Sequence, residues 1–312
     1  MTPSLRTALA GGDRAAVSDL MDTHHGFAVL LAEAVGAGSA TVRVVERAWA
    51  DTVAAVVSDA GTPVRASLLG AVLRLLREDG QLDETDTHTA APPRAGFFLP
   101  PDDRWAGWWD VDVPSWPAGR VPTAEQVLHA VRRLPLRQRT LLILRDSARL
   151  SADETADSLG VEPDDQGRLL DDAREAYVAY LDEEILAGDV GAPDVAGTPD
   201  HVSTPDHVST PDHVGALDVE SRGIRGETGT RALDISCDVV FDLVGAWYDG
   251  ELTDNDQNAF EQHLLFCPPC LAYSDRARRS LTALTAAATA TVPAGWADRA
   301  AAALEQARGT HR

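Results

Sequence analysis

The sequence predicts an all-α protein. Apolar residues recur at intervals of three and four over most of the chain, the spacing that one buried helix face requires. The alternation of apolar and polar residues that is typical of half-buried strands is nearly absent. Glycine and proline interrupt the helical spacing at a few points, such as Gly61-Thr62-Pro63 and Asp79-Gly80, and so indicate where helices end. The 312 residues correspond to roughly two domains of ~150 residues each.

Residues 1–90 are predicted to form a small domain of three helices. Their apolar sets, in chain order, are Leu20, Phe27, Leu30, Leu31 and Ala34; Val42, Val45, Trp49, Val53 and Val56; and Leu68, Leu69, Val72, Leu73 and Leu76.

Residues 91–122 are predicted to be a connector rich in tryptophan and proline. Four of the seven Trp residues, Trp105, Trp108, Trp109 and Trp116, fall within twelve positions. We expect their indoles to pack on a helical domain, since a stacking platform for single-stranded nucleic acid would interleave them with Arg.

Residues 123–187 are predicted to form a helical domain that contains a helix-turn-helix. A helix is expected to run from Leu136 to Leu150 after the break at Pro135. A short helix follows with Ser151 as its N-cap and Glu154 three residues later, the pattern of a capping box. Gly160 ends that helix, and a longer one begins at Pro163.

Residues 188–232 are predicted to be a disordered linker, because Thr-Pro-Asp-His-Val recurs at Thr198, Thr204 and Thr210 and cannot form a packed core. We interpret the three evenly spaced histidines as repeat expansion, not as a metal site. A coil of this length spans roughly 35 to 40 Å. Residues 233–312 are predicted to be a last small helical domain, which holds all three Cys residues of the chain.

The cysteines and one histidine of this last domain predict a zinc site. His263 and Cys267 stand four residues apart and are expected on one face of a helix, and the proline pair Pro268-Pro269 is expected to turn Cys270 back toward them. With Cys237 they make a tetrahedral Cys3His set suited to Zn2+. Four protein ligands leave no open position, so the metal is expected to be structural. The alternative is a group of buried thiols with a nearby histidine.

The residues around these ligands resemble the zinc-binding anti-sigma family. The segment 246–252 reads Ala-Trp-Tyr-Asp-Gly-Glu-Leu, and the segment 261–264 reads Glu-Gln-His-Leu. The resemblance covers about residues 235–275. It implies a small helical module that holds a sigma factor and keeps it from RNA polymerase.

The remainder of the chain resembles the sigma factors of the extracytoplasmic-function (ECF) type. The segments that carry this resemblance are 134–139, 145–146 and 151–161 in the helix-turn-helix, 98–105 and 116–117 in the connector, and 44–49 and 67–69 in the first domain. The resemblance implies binding to core RNA polymerase through Val45, Arg47 and Trp49. It implies promoter DNA contacts from Arg137, Arg149, Ser151, Gln166, Arg168 and Arg174, and an intramolecular contact between the sigma part and the tethered zinc module.

The charge distribution leaves two functions open. The chain has 49 acidic residues against 27 basic ones, all Arg, so its net charge of -22 opposes binding to nucleic acid and to anionic membranes as a whole. Residues 121–150 have a net charge of +4, which suits DNA phosphates, but residues 151–187 have a net charge of -10. The first hypothesis is a sigma factor regulated by its own zinc module. The second is a sigma-like scaffold that has lost promoter binding.

Other classes of protein are excluded or not expected. The chain lacks the His-Glu-x-x-His motif of zinc hydrolases, and we expect no enzymatic activity and no catalytic residues. Its apolar runs fall far short of the ~20 residues that a membrane span needs. We therefore expect a cytoplasmic protein without a membrane partner.

Overall fold

The computed structural model of the protein describes residues 7–9, 13–59, 62–82, 120–189 and 235–309. All regular secondary structure within these ranges is helical, which confirms the predicted all-α fold. Most of the predicted Trp-rich connector and nearly all of the predicted linker lie outside the described residues.

The first three helices follow the predicted apolar sets. They are α1 (Arg14–Ala34), α2 (Thr41–Ser58) and α3 (Val64–Glu78), with one 3-10 turn at Gly38–Ala40. Asp13 begins α1, because its side chain accepts a hydrogen bond of 2.9 Å from the backbone N–H of Ala15. The three helices bury their apolar faces against one another, and their core includes Leu31, Trp49 and Leu69.

The next five elements are α4 (Ala124–Arg132), α5 (Leu136–Leu142), a π turn (Ile143–Ser147), α6 (Ala152–Leu159) and α7 (Pro163–Asp189). The predicted capping box at Ser151 is present, with Glu154 donating its backbone N–H to the Ser151 hydroxyl at 3.2 Å. Gly160 ends α6 at a φ of 70°. A short helix, a glycine turn and a longer helix therefore follow one another at the predicted positions.

The predicted helix from Leu136 to Leu150 was wrong in its second half. The N–H of Ala148 bonds to the carbonyl of Ile143 at 2.8 Å, and that of Leu150 bonds to the carbonyl of Leu144 at 2.9 Å. These bonds span five and six residues in place of four, so the α-helix widens into the π turn. Arg149 closes the turn in the left-handed conformation, at a φ of 54°.

The C-terminal residues form α8 (Cys237–Asp249), α9 (Asp254–Phe266), α10 (Pro268–Ala286) and α11 (Trp296–Gly309). A small apolar core joins α8, α9 and the start of α10, and Val178 of α7 belongs to it. A larger core includes residues of α1 through α7 together with Leu281, Leu284 and Trp296. The last part of the chain therefore packs on the rest. The domain boundaries given above stay a prediction.

None of the helices in the described ranges is both long enough and apolar enough to cross a membrane.

Candidate metal centre and its docking surface

The four predicted zinc ligands lie at helix ends that meet at one point. Cys237 is the first residue of α8, His263 lies in the last turn of α9, and Cys270 lies in the first turn of α10. Cys267 occupies the junction between α9 and α10. The ligands therefore come from three helices.

The expectation that His263 and Cys267 share a helix was wrong. The α-helix ends at Phe266, and Cys267 has extended angles, φ -119° and ψ 90°. The reason is Pro268, whose ring disfavours the helical conformation in the residue before it. Pro268 and Pro269 then start α10, because the first helical positions need no N–H donors. The proline pair thus brings Cys270 to the site by beginning a helix, not by forming a separate turn.

The distances among the four ligand atoms fit a tetrahedral zinc ion. The Cys237 Sγ lies 3.8 Å from the Cys267 Sγ and 3.6 Å from the His263 Nε2. Zn–S bonds of about 2.3 Å and Zn–N bonds of about 2.1 Å place two sulfurs about 3.8 Å apart and a sulfur and a nitrogen about 3.6 Å apart. The His263 Nε2 to Cys270 Sγ distance is shorter, 3.2 Å, and all four atoms lie within 4.8 Å of one another. The four residues form a site for structural Zn2+.

A backbone contact orients the histidine for this role. The Nδ1–H of His263 donates a hydrogen bond of 2.7 Å to the carbonyl oxygen of Ile235. That bond leaves Nε2, which faces the three sulfurs, as the unprotonated nitrogen that a metal requires.

The surroundings of the sulfurs favour a bound cation. Burial raises the pKa of the Cys270 thiol, and the hydrogen bonds and charges of Cys267 and Cys237 raise it further. Three thiolates at this separation repel one another unless a cation lies between them. Zinc would supply that charge, and four protein ligands would leave it no position for a catalytic water.

Two aromatic pairs hold the helices around the site. Phe241 of α8 stacks on Tyr273 of α10, with ring centroids 4.6 Å apart. Trp247 of α8 stacks on Phe260 of α9, with centroids 5.3 Å apart. The metal and these pairs together fix α8, α9 and α10 as one module, which we call the zinc module.

The end of α8 docks on α7 and on the turn that follows α5. Arg174 of α7 is 7 % exposed and binds both carboxylate oxygens of the fully buried Asp146, at 2.8 and 2.6 Å. The same guanidinium binds both oxygens of Asp249 from α8, at 2.8 and 2.7 Å. Next to it, Arg149 donates to the Tyr248 hydroxyl at 2.7 Å, and its guanidinium lies 4.9 Å from the centre of the Tyr248 ring.

Helix α10 adds buried polar contacts to the same interface. Arg276 forms a salt bridge of 2.8 Å with Asp182 of α7, and both side chains are about nine-tenths buried, with 10 % and 11 % exposed. The Tyr177 hydroxyl donates to the Ser280 carbonyl at 3.1 Å, and burial raises the pKa of Tyr177. These contacts join α10 to α7 along its length.

The chain after α10 covers a face of α1 and α2. Trp296 is 4 % exposed, and its ring meets that of His25 edge-on at 5.1 Å. His25 in turn accepts a hydrogen bond of 3.3 Å from the Trp49 indole. Arg299 forms a salt bridge with Glu46 of α2. Near the end of α10 the backbones come so close that a Cβ on Gly26 would lie 1.8 Å from the Ala288 carbonyl oxygen.

The structure buries two of the six predicted DNA contacts. Arg174 is held by Asp146 and Asp249, and Gln166 donates to the backbone carbonyls of Ala152 and Val161, both at 2.9 Å. Arg137, Arg149, Ser151 and Arg168 are exposed. Arg149 contacts Tyr248, Ser151 caps α6, and Arg168 lies 3.9 Å from Asp172 on its own helix.

The predicted polymerase contacts differ in exposure. Val45 and Trp49 are 0 % and 1 % exposed, so their side chains form core and do not reach the surface of the protein as folded here. Arg47 is exposed and lies 3.9 Å from Glu78.

The docking residues were not predicted from the sequence. Tyr248 and Asp249 belong to the motif that carries the anti-sigma resemblance, and Asp146 belongs to the segment that carries the sigma resemblance. Their mutual contact depends on how the two parts pack, which no local pattern indicates. Trp296 gave a weak signal as an isolated large apolar residue in an Ala-rich segment.

Comparison with known families supports the metal site. Residues 237–271 match a zinc-finger family whose description reads "Putative zinc-finger". The match includes all four ligands, and this domain is of the anti-sigma type, which indicates a role in regulating a sigma factor. Comparisons with curated proteins and with solved structures gave no significant match.

Proposed function

We propose that residues 1–187 act as a sigma factor of the ECF type that directs core RNA polymerase to promoter DNA, and that the zinc module with α11 regulates them. In this proposal the C-terminal part docks back on the sigma part and masks it. The protein has no catalytic activity of its own and acts in the cytoplasm.

The observation that carries the proposal is where the C-terminal part docks. Tyr248 contacts Arg149 and Asp249 binds the buried Arg174, and both arginines belong to the helix-turn-helix, the part that the resemblance assigns to promoter DNA. Trp296 and Arg299 cover α1 and α2, the part that the resemblance assigns to polymerase. The domain of the anti-sigma type contacts the first part, and the helix that follows it in the chain contacts the second, so together they are suited to inhibition.

The tether makes such inhibition efficient. Residues 190–234 join α7 to the zinc module covalently, and the sequence predicts most of them to be a linker. A linker of this length typically gives an effective concentration near the millimolar range. Even a weak contact between the zinc module and the sigma part would therefore be formed most of the time. A signal that loosens the module would release the sigma part without separating it from its inhibitor.

Run-off transcription tests this function. The full-length protein and a chain ended after residue 187 are each added to core polymerase with a pool of genomic fragments, and the zinc content of each protein is measured. We expect defined start sites with the short chain and fewer transcripts with the full-length, zinc-loaded chain. Circular dichroism of the short chain serves as the control for folding. A folded short chain that neither binds core polymerase nor starts transcription would contradict the proposal.

A second function, a sigma-like scaffold without promoter binding, is favoured by one observation. Arg174 and Gln166 are buried, so the exposed first half of α7 presents Arg168 beside the acidic Asp164, Asp165 and Asp172. These carboxylates repel DNA phosphates. The scaffold predicts that the short chain binds core polymerase at low salt but directs no promoter-specific transcription.

A further inference from the structure

We propose that Arg149 is a specificity-determining residue for the zinc module: it and Arg174 form a docking surface dedicated to Gly245, Tyr248 and Asp249 of α8. This inference goes beyond the proposed function, because it concerns the docking itself and does not require transcription.

The backbone of Arg149 is the first observation. Among the described residues Arg149 is the one non-glycine residue with a positive φ, 54°. The left-handed conformation is unfavourable for a residue with a Cβ and costs glycine nothing. A turn that needed only its backbone geometry would be better served by glycine at this position. The side chain must therefore contribute something that offsets the strain.

The contacts of Arg149 show what that contribution is. Its guanidinium donates to the Tyr248 hydroxyl at 2.7 Å and lies over the Tyr248 ring. Both contacts are with the zinc module, whereas within the described residues its side chain makes no hydrogen bond to its own helix-turn-helix. Its charge also acts on the buried Asp146 of its own unit, but its hydrogen bond and its ring contact both serve docking.

Arg174 is positioned for the same purpose. Asp146 binds its Nε and one terminal nitrogen and so fixes the plane of the guanidinium. The same terminal nitrogen, Nη2, also donates to both oxygens of Asp249 on α8. Loss of Asp249 would leave Arg174 paired with Asp146, so the helix-turn-helix does not depend on the docking contact for its own fold.

The partner surface lies on one face of α8. Gly245, Tyr248 and Asp249 follow the spacing i, i+3 and i+4, which puts them side by side on a helix. A Cβ on Gly245 would lie 2.4 Å from an Asp171 carboxylate oxygen and 3.0 Å from the Arg174 Nη1. The absence of a side chain at this position lets α8 approach α7 closely enough for Tyr248 and Asp249 to reach the two arginines.

Hydrogen exchange on the full-length, zinc-loaded protein tests the inference. The variants are Arg149→Gly, Tyr248→Phe and Asp249→Asn, and Glu251→Gln is the matched control, because Glu251 is exposed in the same turn and its side chain makes no contact with the arginines. The exchange rates of the backbone amides of residues 246–251 report docking. Those of α5 and α6 report the stability of the unit to which Arg149 belongs.

We expect Arg149→Gly and Asp249→Asn each to speed exchange at residues 246–251 by roughly tenfold, because each variant loses one hydrogen bond that involves a charged group. Tyr248→Phe should have a smaller effect in the same direction. Exchange in α5 and α6 should be unchanged or slower in Arg149→Gly, since glycine relieves the strain. Faster exchange in α5 and α6 would show that Arg149 only supports its own unit and would overturn the inference.

The inference is also overturned if Asp249→Asn behaves like Glu251→Gln. Zinc content is measured for every variant, so that a loss of the metal is not mistaken for a loss of docking. A protein that docks in this way but directs no transcription would contradict the proposed function alone.

Discussion

One side chain, that of His263, links the metal site to the rest of the fold. Its Nδ1 is held by the Ile235 carbonyl, and its Nε2 faces the three cysteine sulfurs. A structural zinc ion contributes binding free energy that a small domain uses to fold. The histidine is therefore needed both as a ligand and as the contact that joins α9 to the start of α8.

His263→Gln is expected to lower zinc affinity by at least about tenfold, because a site with three ligands loses its closed tetrahedron. The measurement is a zinc titration with metal content determined after dialysis, starting from one ion per chain. His129→Gln is the control, since His129 is 64 % exposed and lies outside the site. Equal metal content in both variants would contradict the assignment of His263.

His24 predicts a dependence of stability on pH. Burial and the nearby Arg65 lower the pKa of His24 from 6.5 to about 4. Between these values the unfolded chain binds the proton and the folded chain does not, so stability falls as pH falls from about 6.5 toward 4.

In His24→Gln this loss should shrink by about 1 kcal/mol between pH 7 and pH 5, after allowance for solvent screening of a partly exposed group. The measurement is urea unfolding of both proteins at the two pH values. An identical pH dependence of the free energy of unfolding would contradict it.

Helices α5 to α7 show which local features a sequence predicts. The cap of α6 at Ser151 and its end at Gly160 follow from side-chain and backbone chemistry within a few residues. The widening of α5 into the π turn does not, because it places Asp146 where Arg174, 28 residues later, binds it. The sequence therefore predicts where these helices begin and end better than it predicts where a helix departs from regular α-helical hydrogen bonding.

For two glycines, one at the end of α6 and one within α7, we expect opposite effects of substitution by alanine. Gly160→Ala should destabilise the protein by about 1 kcal/mol, because its φ of 70° is unfavourable for alanine. Gly167→Ala should stabilise it by about 0.5 to 1 kcal/mol, since that residue is exposed within α7 and no atom lies within 4 Å of an added Cβ. The measurement is chemical denaturation of both variants. Effects of the same sign would show that the conformation of the turn has been misjudged.

Across the protein as a whole, the sequence predicts the four metal ligands better than it predicts how the zinc module packs on the other helices. Four ligand residues at a recognisable spacing identify a zinc site without knowledge of the fold, and the family match agrees. The contact of Asp249 with Arg174 joins residues 75 positions apart on opposite sides of the predicted linker. Such a contact depends on how α8 packs on α7, and the apolar pattern of neither helix contains it.

Removal of zinc from the full-length protein should loosen the zinc module and leave the rest folded. The core of α1 to α3 contains no metal ligand, whereas α8, α9 and α10 meet at the site. After treatment with a chelator we expect faster amide exchange in residues 237–275 and little change in α2 and α3. Readdition of zinc should reverse the effect. Exchange that is unchanged, or that rises equally everywhere, would contradict this expectation.

The contact between Gly26 and the Ala288 carbonyl has a consequence for genetics. Any other amino acid at position 26 would overlap the opposing backbone, and a single base change in a glycine codon is enough to introduce one. If the protein acts as proposed, selection for transcription that the C-terminal part no longer inhibits should return missense alleles at this codon, far in sequence from the metal ligands and from the arginines. Such alleles would separate the last segment of the chain from the first helix while the zinc-binding residues stayed wild type.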